Sequence, residues 1–302
     1  MIVVAVPAVA LAVVTVAAFF GKWSWVLDVA ANFRVQYAVA LIALAALLIV
    51  RAWRKTALVA ALGAVVNLVV IVPLFIGHGV TIPPEEPIRV MSFNLYDSNE
   101  EFAALISFIR QENPDVVFLH EASLPWEVAI ESADLGYEIT KSRSQELIFG
   151  TLVLTRPGDK VTSFGFTTGG ARAVEVIHDE VAILGVHALS PTNAERAALR
   201  NAQLAFAAEW AGRQEGPHVV TGDFNATPWS YPFRRLVAST GLHNSQAGFG
   251  IEASFPTTWF FALRVPIDHL LYSDGLAVAD RRLGPALGSD HFPLVVDLWV
   301  PG

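Results

Sequence analysis

The chain has 302 residues, no cysteine, and 20 basic against 28 acidic side chains, a net charge of −8. Disulfide and thiol chemistry are excluded, and an acidic balance weakens, without excluding, a reading as a nucleic-acid binder. With 54% hydrophobic and 16% charged residues and a mean hydropathy of +0.49, the chain is too apolar to be soluble domain throughout.

The apolar excess lies at the N-terminus. Residues 1–84 hold five basic side chains and one acidic (Lys22, Asp28, Arg34, Arg51, Arg54, Lys55), net +4, which leaves −12 for the remainder. Three apolar runs, at about 1–20, 35–53 and 57–77, are expected as transmembrane helices, since crossing the hydrocarbon core takes roughly 20 apolar residues. The second run is short and relies on Arg51 and Arg54 snorkelling to the interface. A cleaved leader is the competing reading of the first run; no basic start and no convincing cleavage site support it. Arg51, Arg54 and Lys55 crowd the loop between the second and third runs, so the positive-inside rule puts that loop and the N-terminus in the cytoplasm. The expected location is a multi-pass plasma-membrane protein with everything after residue 78 outside the cytoplasm. Asn67 interrupts the third run; it is expected as a polar residue tolerated in a tight bundle, or as a contact to another helix.

Residues 79–87 carry Gly79, Pro83, Pro84 and Pro87 and read as a stiff linker to a domain over 88–302. In that domain strands alternate with helices. Ile88–Leu95 reads as a buried strand, Glu100–Gln111 as a helix stopped by Asn113-Pro114, and Val116–Leu119 as a second strand. Leu147–Thr155, Val161–Phe166, Ala171–Ile177 and Val181–Val186 follow at hairpin spacing. A helix is expected over 193–212, a strand over His218–Thr221, a helix over Tyr231–Thr240, and closing strands over Ile267–Ser273, Leu276–Arg281 and Leu294–Trp299. The pattern predicts an α/β fold of two mixed sheets packed face to face, with helices outside.

Polar residues gather at the predicted strand ends: Asn94, Glu121, His187, Asp223, Asn225, Asp268, Asp290 and His291. A hard cation such as Mg²⁺, or Mn²⁺, takes oxygen ligands; Glu121 suits it best, with Asn94 and Asp290 beside it. His291 suits acid–base work and needs a carboxylate to fix its tautomer, for which Asp268 is the candidate. Asp223 and Asn225 would orient an attacking water and hold phosphate, and His187 would donate to a non-bridging oxygen.

In this order, Asn94, Glu121, His187, Gly222-Asp223-Phe224-Asn225, Ile267-Asp268-His269 and Ser289-Asp290-His291 resemble the endonuclease/exonuclease/phosphatase family over about residues 88–300. The resemblance implies a four-layer α/β sandwich and metal-dependent hydrolysis of phosphoester bonds. It also implies Glu121 as main metal ligand beside Asn94 and Asp290, Asp268 paired with His291, and His187 on phosphate. The three apolar runs are similar to a membrane-anchored bacterial branch. The chain departs from nuclease members at Tyr96, where they often carry an acid; Asp97 is one position on. Arg172 is a candidate phosphate contact or a surface arginine. His120, His218 and His269 are expected to turn away from the site by strand alternation. The segment Pro256–Leu263 is aromatic and precedes Asp268; it packs as core or touches lipid, with Trp229 able to join it.

Together these readings predict a membrane-anchored, extracytoplasmic phosphoesterase acting on a lipid-linked phosphate ester beside the bilayer. A nuclease is the alternative, with nucleic acid the less favoured substrate. A non-catalytic envelope-binding or resistance protein on the same fold is the alternative from another class.

Overall fold

The computed structural model describes residues 2–77, 87–142, 150–165 and 172–300. The linker expected at 79–87, apart from Pro87, and the Arg172 side chain lie outside what is described.

The N-terminal region is helical: α1 (Ile2–Ala17), α2 (Trp25–Ala31), α3 (Arg34–Val50) and α4 (Arg54–Ile71). Two stretches, Val3–Phe20 and Arg54–Phe75, are long and apolar enough to cross a membrane, and a third is reached only if α2 and α3, bent by 67°, form one broken span. The second run is compatible with the expected third span in that form. It is a 17-residue helix preceded by a separate short helix at an angle. Small residues let the helices approach closely: Ala8, Ala45, Ala57, Ala60 and Ala64 pack with Leu41 and Leu48. Asn67 is fully buried and makes a cross-helix contact, donating to Thr15 Oγ1 at 2.9 Å while accepting from Arg34 at 3.2 Å.

Two six-stranded sheets follow. The first comprises β1 (Ile88–Asn94), β2 (Val116–Ala122), β3 (Glu138–Ser142), β4 (Gly150–Thr155), β11 (Ala277–Leu283) and β12 (Leu294–Trp299), in the order β11-β12-β1-β2-β4-β3. The second comprises β5 (Lys160–Gly165), β6 (Arg172–His178), β7 (Val181–His187), β8 (His218–Asp223), β9 (His243–Asn244) and β10 (Asp268–Tyr272), in the order β5-β6-β7-β8-β10-β9. Each sheet has one central parallel pair, β1–β2 or β7–β8, within antiparallel neighbours. Parallel strands need a crossover, which α5 (Phe102–Glu112) and α7 (Ala194–Ala211) supply; α6 (Leu124–Ser132) and α8 (Tyr231–Thr240) complete the outer layers.

Side-chain alternation assigns each face. On β1 and β2, Val90, Val116 and Phe118 face the other sheet, while Met91, Phe93, Val117 and Leu119 face α5 and α6. On β7 and β8, Ile183 and Val219 face inward, while Leu184, Val186 and Val220 face α7 and α8. Apolar contact thus fills three interfaces between four layers, each buried Val, Leu or Ile contributing about 1.5–3 kcal/mol. The sheets meet tightly at Gly185, where a Cβ would lie 2.2 Å from the Phe118 ring.

A polar junction joins the helices to the sandwich. Trp229, a candidate to join the aromatic loop, is buried at this junction: its indole donates to Val70 O at 2.9 Å among Ala38, Ile71 and Leu74. The reason is that its ring meets the α3 and α4 ends, an apolar surface that a strand-order reading leaves out.

Candidate active site

The eight strand-end residues named from the sequence converge at one edge of the sandwich. The parallel pairs β1–β2 and β7–β8 deliver their C-terminal ends there. Because β10 and β12 run antiparallel to β8 and β1, their N-terminal ends arrive at the same edge: Asp268 pairs in register with Asp223, and Leu294 with Ser92.

Alternation places Asn94 on the inter-sheet face of β1, and Asp223 and His187 on those of β8 and β7. Glu121 would by the same rule face α5. A register shift between Leu119 and Ala122 and a φ of +55° at Glu121 break the alternation. Such a bulge re-aims a side chain, and the Glu121 carboxylate comes to 3.0 Å from Asn94 Nδ2 and 3.4 Å from His187 Nε2. His120 keeps the inter-sheet direction. This corrects the expectation that it turns away: its ring lies 5.4 Å from that of His187, and its nitrogens face Ser92 and Thr151 hydroxyls. Burial pushes its basicity far below the usual histidine value, with the charges of His187 and His291 adding to the effect. His269 and His218 do face the outer helices. His269 packs against Phe224 and Phe233, and His218 against Trp210.

Asp223 is the hub. It is fully buried and accepts from Asn94 Nδ2 at 3.1 Å, Asn225 Nδ2 at 3.0 Å and Asn225 N at 2.8 Å. His187 and His291 each approach its Oδ2 at 3.8 Å. Gly222 makes the close crossing with β7 that brings it there. Its φ is +134°, and a Cβ would stand 1.9 Å from Val186 O. Burial lifts the Asp223 carboxyl to about 6, against the pull of His291.

Asp268 Oδ2 holds His291 Nδ1 at 2.9 Å. Burial alone would keep that imidazole neutral, yet Asp268 and Asp223 overcome it and raise its pKa to about 10. His291 is therefore a cation at neutral pH with Nε2 turned toward Asp223. Two serines fix the frame: Ser254 Oγ accepts from the backbone of Ile267 and Asp268, and Ser289 Oγ donates to Asn94 O at 2.6 Å while accepting from His291 N at 2.9 Å. Ser289 was legible within its tripeptide. Ser254 had no sequence signal, because it lies in no motif and reaches Ile267 and Asp268 only when the intervening loop folds back.

Asn225, at φ +47°, spends both amide protons, on Asp223 and on Ala188 O at 3.0 Å. In this arrangement it orients Asp223 rather than reaching outward. Asn94 likewise spends both protons, bridging the Glu121 and Asp223 carboxylates across the two sheets.

The oxygen donors near Glu121 suit a divalent cation. Burial raises the Asp290 carboxyl above its usual range; His291 opposes the shift and the Glu121 charge reinforces it, so the two carboxylates feel one another. Among the described residues no lysine or arginine pairs with either. An all-oxygen set of two carboxylates and an adjoining carboxamide fits a hard cation. Asp223, Asp268 and His291 also bring ligand atoms within 4.8 Å of one another. That trio is a poorer ligand set, because His291 is protonated and committed to Asp268. Neither the Tyr96 nor the Asp97 side chain supplies a ligand here: Tyr96, at φ +59°, donates its backbone N–H to Asn94 Oδ1 at 3.0 Å, and Asp97 is exposed and accepts from Ser98 Oγ.

A sandwich of two mixed sheets with carboxylates, carboxamides and an Asp–His pair at one edge defines a hydrolase of phosphate esters. The sequence matches the model of the Endonuclease/Exonuclease/phosphatase family over residues 91–291, and the chain belongs to that family. Members are phosphoester hydrolases, as nucleases and phosphatases, and this chain is one. They depend on divalent metal. No curated protein matches the sequence. Among solved structures the chain is similar to D. rerio TDP2 complexed with single-strand DNA product, at 16% identity and TM-score 0.58 over 72% of this chain and 100% of that one. It is also similar to the human Nocturnin catalytic domain (20%, 0.54, covering 74% and 97%). A third is a Bacteroides thetaiotaomicron mannosyl-6-phosphatase (16%, 0.53, covering 70% and 99%). At these identities the likeness is one of fold.

Proposed function

We propose that the protein is a membrane-anchored phosphoesterase that hydrolyses a lipid-linked phosphate ester outside the cytoplasm. The observation that carries this reading is the aromatic loop. Trp259, Phe260, Phe261 and Leu263 are about half or more exposed. One end of the loop is tied to the site, by Thr257 N to Asp290 O at 2.8 Å and Thr257 Oγ1 to Ser289 O at 2.7 Å. The other end is tied to the first turn of α3, where Gln36 donates to Ala262 O and Arg264 O at 3.0 Å. An exposed aromatic cluster fixed beside the end of an apolar helix belongs in a bilayer interface, and it brings the site to the level of lipid head groups.

Glu121, Asn94 and Asp290 would hold Mg²⁺ or Mn²⁺, which when bound polarises a phosphoryl oxygen and steadies the leaving group. Asp223, ionised above about pH 6, accepts the proton of a water as that water attacks phosphorus. Asn94 and Asn225 keep its carboxylate aimed. Protonated His291 gives its Nε2 proton to the departing oxygen, and Asp268 stabilises the charged imidazole beforehand. His187 donates to a non-bridging oxygen as charge builds up.

The test is head-group or phosphate release by the detergent-purified full chain with Mg²⁺. Phospholipid and polyprenyl-phosphate vesicles are compared with plasmid DNA, for the wild type and for Trp259→Ser/Phe260→Ser. The expected result is activity on a lipid phosphate, reduced about 10-fold or more by the loop variant through lost interfacial contact. Brisk DNA cleavage with no lipid activity would replace this reading with a tethered nuclease.

A further inference from the structure

The helical region reaches into the loop that follows Asp223. Arg200 on α7 is fully buried, and its partner Asp28 on α2 is 2% exposed; Arg200 Nη2 meets Asp28 Oδ2 at 2.5 Å. The other arm of the same guanidinium, Nη1, donates to Asn225 O at 2.9 Å. The second Asp28 oxygen accepts from Tyr231 N at 2.6 Å, at the start of α8. Asn32, just after α2, accepts from both N and Oγ1 of Thr227, at 3.2 and 2.9 Å. One short stretch of the helical region thus holds segment 225–231 directly at Thr227 and Tyr231, and at Asn225 through Arg200.

We propose that Asp28, Arg200 and Asn32 are positioning residues of the active site, so that the helical region sets turnover as well as anchoring the enzyme. The inference rests on the reading of Asp223 as the group that receives the proton of water. Asn225 sits in the left-handed region and aims Asp223 through its backbone N–H and its carboxamide. Its carbonyl is fixed by a guanidinium whose rigid fork spans two acceptors. With Asp28 neutralised, Arg200 is a buried cation without its counter-ion, and it moves toward other acceptors or water. Asn225 then loses its restraint and Asp223 its aim. Displacements of about 1 Å at a reacting group cost on the order of 100-fold in rate.

The experiment measures kcat and KM of the detergent-purified full chain on bis(4-nitrophenyl) phosphate, with 4-nitrophenyl phosphate in parallel, in Mg²⁺ and in Mn²⁺. These probes are water-soluble, so anchoring has no bearing on them. Asp28→Asn is expected to lower kcat about 10–100-fold with KM changed less than about twofold. In an Asn225→Ala background the same substitution has a smaller effect, because the carboxamide half of the path is already lost and only the backbone N–H of residue 225 remains to aim Asp223. Asn32→Ala removes only a neutral acceptor; it is expected to lower kcat in the same way by about 3–10-fold, and it carries the test if Asp28→Asn does not fold. Wild-type kcat in folded Asp28→Asn and Asn32→Ala, or an Asp28→Asn loss undiminished in the Asn225→Ala background, overturns the proposal. Failure of the underlying reading shows itself separately, as Asp223→Asn retaining wild-type kcat.

Discussion

Asn225 and Asp223 show how few atoms define the working end of this chain. Both oxygens of the Asp223 carboxylate accept amide N–H groups, Oδ1 from the Asn225 backbone and Oδ2 from the Asn94 and Asn225 side chains, so its direction is over-determined while one acceptor site is left for water. His269 illustrates a second residue-scale constraint. It is buried between Phe224 and Phe233 with Nε2 donating to Ala226 O at 2.8 Å, and burial lowers its pKa to about 3. A histidine whose folded value lies below its unfolded value of about 6.5 stabilises the fold fully above that pH. The contribution is lost progressively as pH falls from 6.5 toward 3, by up to about 1.4 kcal/mol per unit. Thermal midpoints of the wild type are therefore expected to fall between pH 7 and 5 more steeply than those of His269→Gln, which keeps a donor for Ala226 O. Parallel slopes would show that this imidazole is not held neutral. Gly222 belongs to the same scale, since its approach to Val186 O leaves no room for any side chain.

The elements divide into those that local sequence dictates and those that tertiary contact dictates. β1, β2, β7, β8 and β12, and helices α5, α7 and α8, were legible because their apolar periodicity is strong and their stops are explicit. Asn113, in the left-handed region, ends α5, and Asn193 caps α7 by accepting from Arg196 N. α2, α6 and β3 were not recognised. In α6 the apolar residues lie on both sides, Trp126 and Ile130 buried but Leu124 and Val128 exposed, so no period marks it as a helix. α2 has seven residues and was hidden in the gap between two apolar runs. The site residues were readable as an ordered set of strand ends. The bulge that turns Glu121 inward and leaves His120 facing His187 was not. Alternation carries no mark of a single inserted residue, and the mistaken placement of His120 followed from that. The place of Trp229 was not legible for a related reason: its partner surface is 159 residues away in the chain.

At the scale of the molecule, the far ends of the apolar helices carry Arg51, Arg54 and Lys55, all exposed, while the near ends of α3 and α4 meet the sandwich through Gln36, Val70 and Leu74. On the proposed orientation these two ends face opposite sides of the bilayer. The absence of cysteine gives a clean test in intact cells. A membrane-impermeant maleimide is expected to label Glu209→Cys, on α7, and to spare Lys55→Cys until the cells are opened. The reverse pattern would place the sandwich in the cytoplasm and remove an external lipid substrate from consideration. The central claim is narrower than location or substrate: the strand-end constellation hydrolyses phosphate esters with a divalent metal. Its most direct measurement is Mg²⁺-dependent release of 4-nitrophenol from bis(4-nitrophenyl) phosphate by full-chain wild type, His291→Ala and Glu121→Gln, with EDTA as the metal-free control. The account predicts wild-type activity that EDTA abolishes and that each substitution lowers by about 100-fold or more with the thermal transition retained. Hydrolysis that survives EDTA, or that both folded variants perform at the wild-type rate, would contradict it.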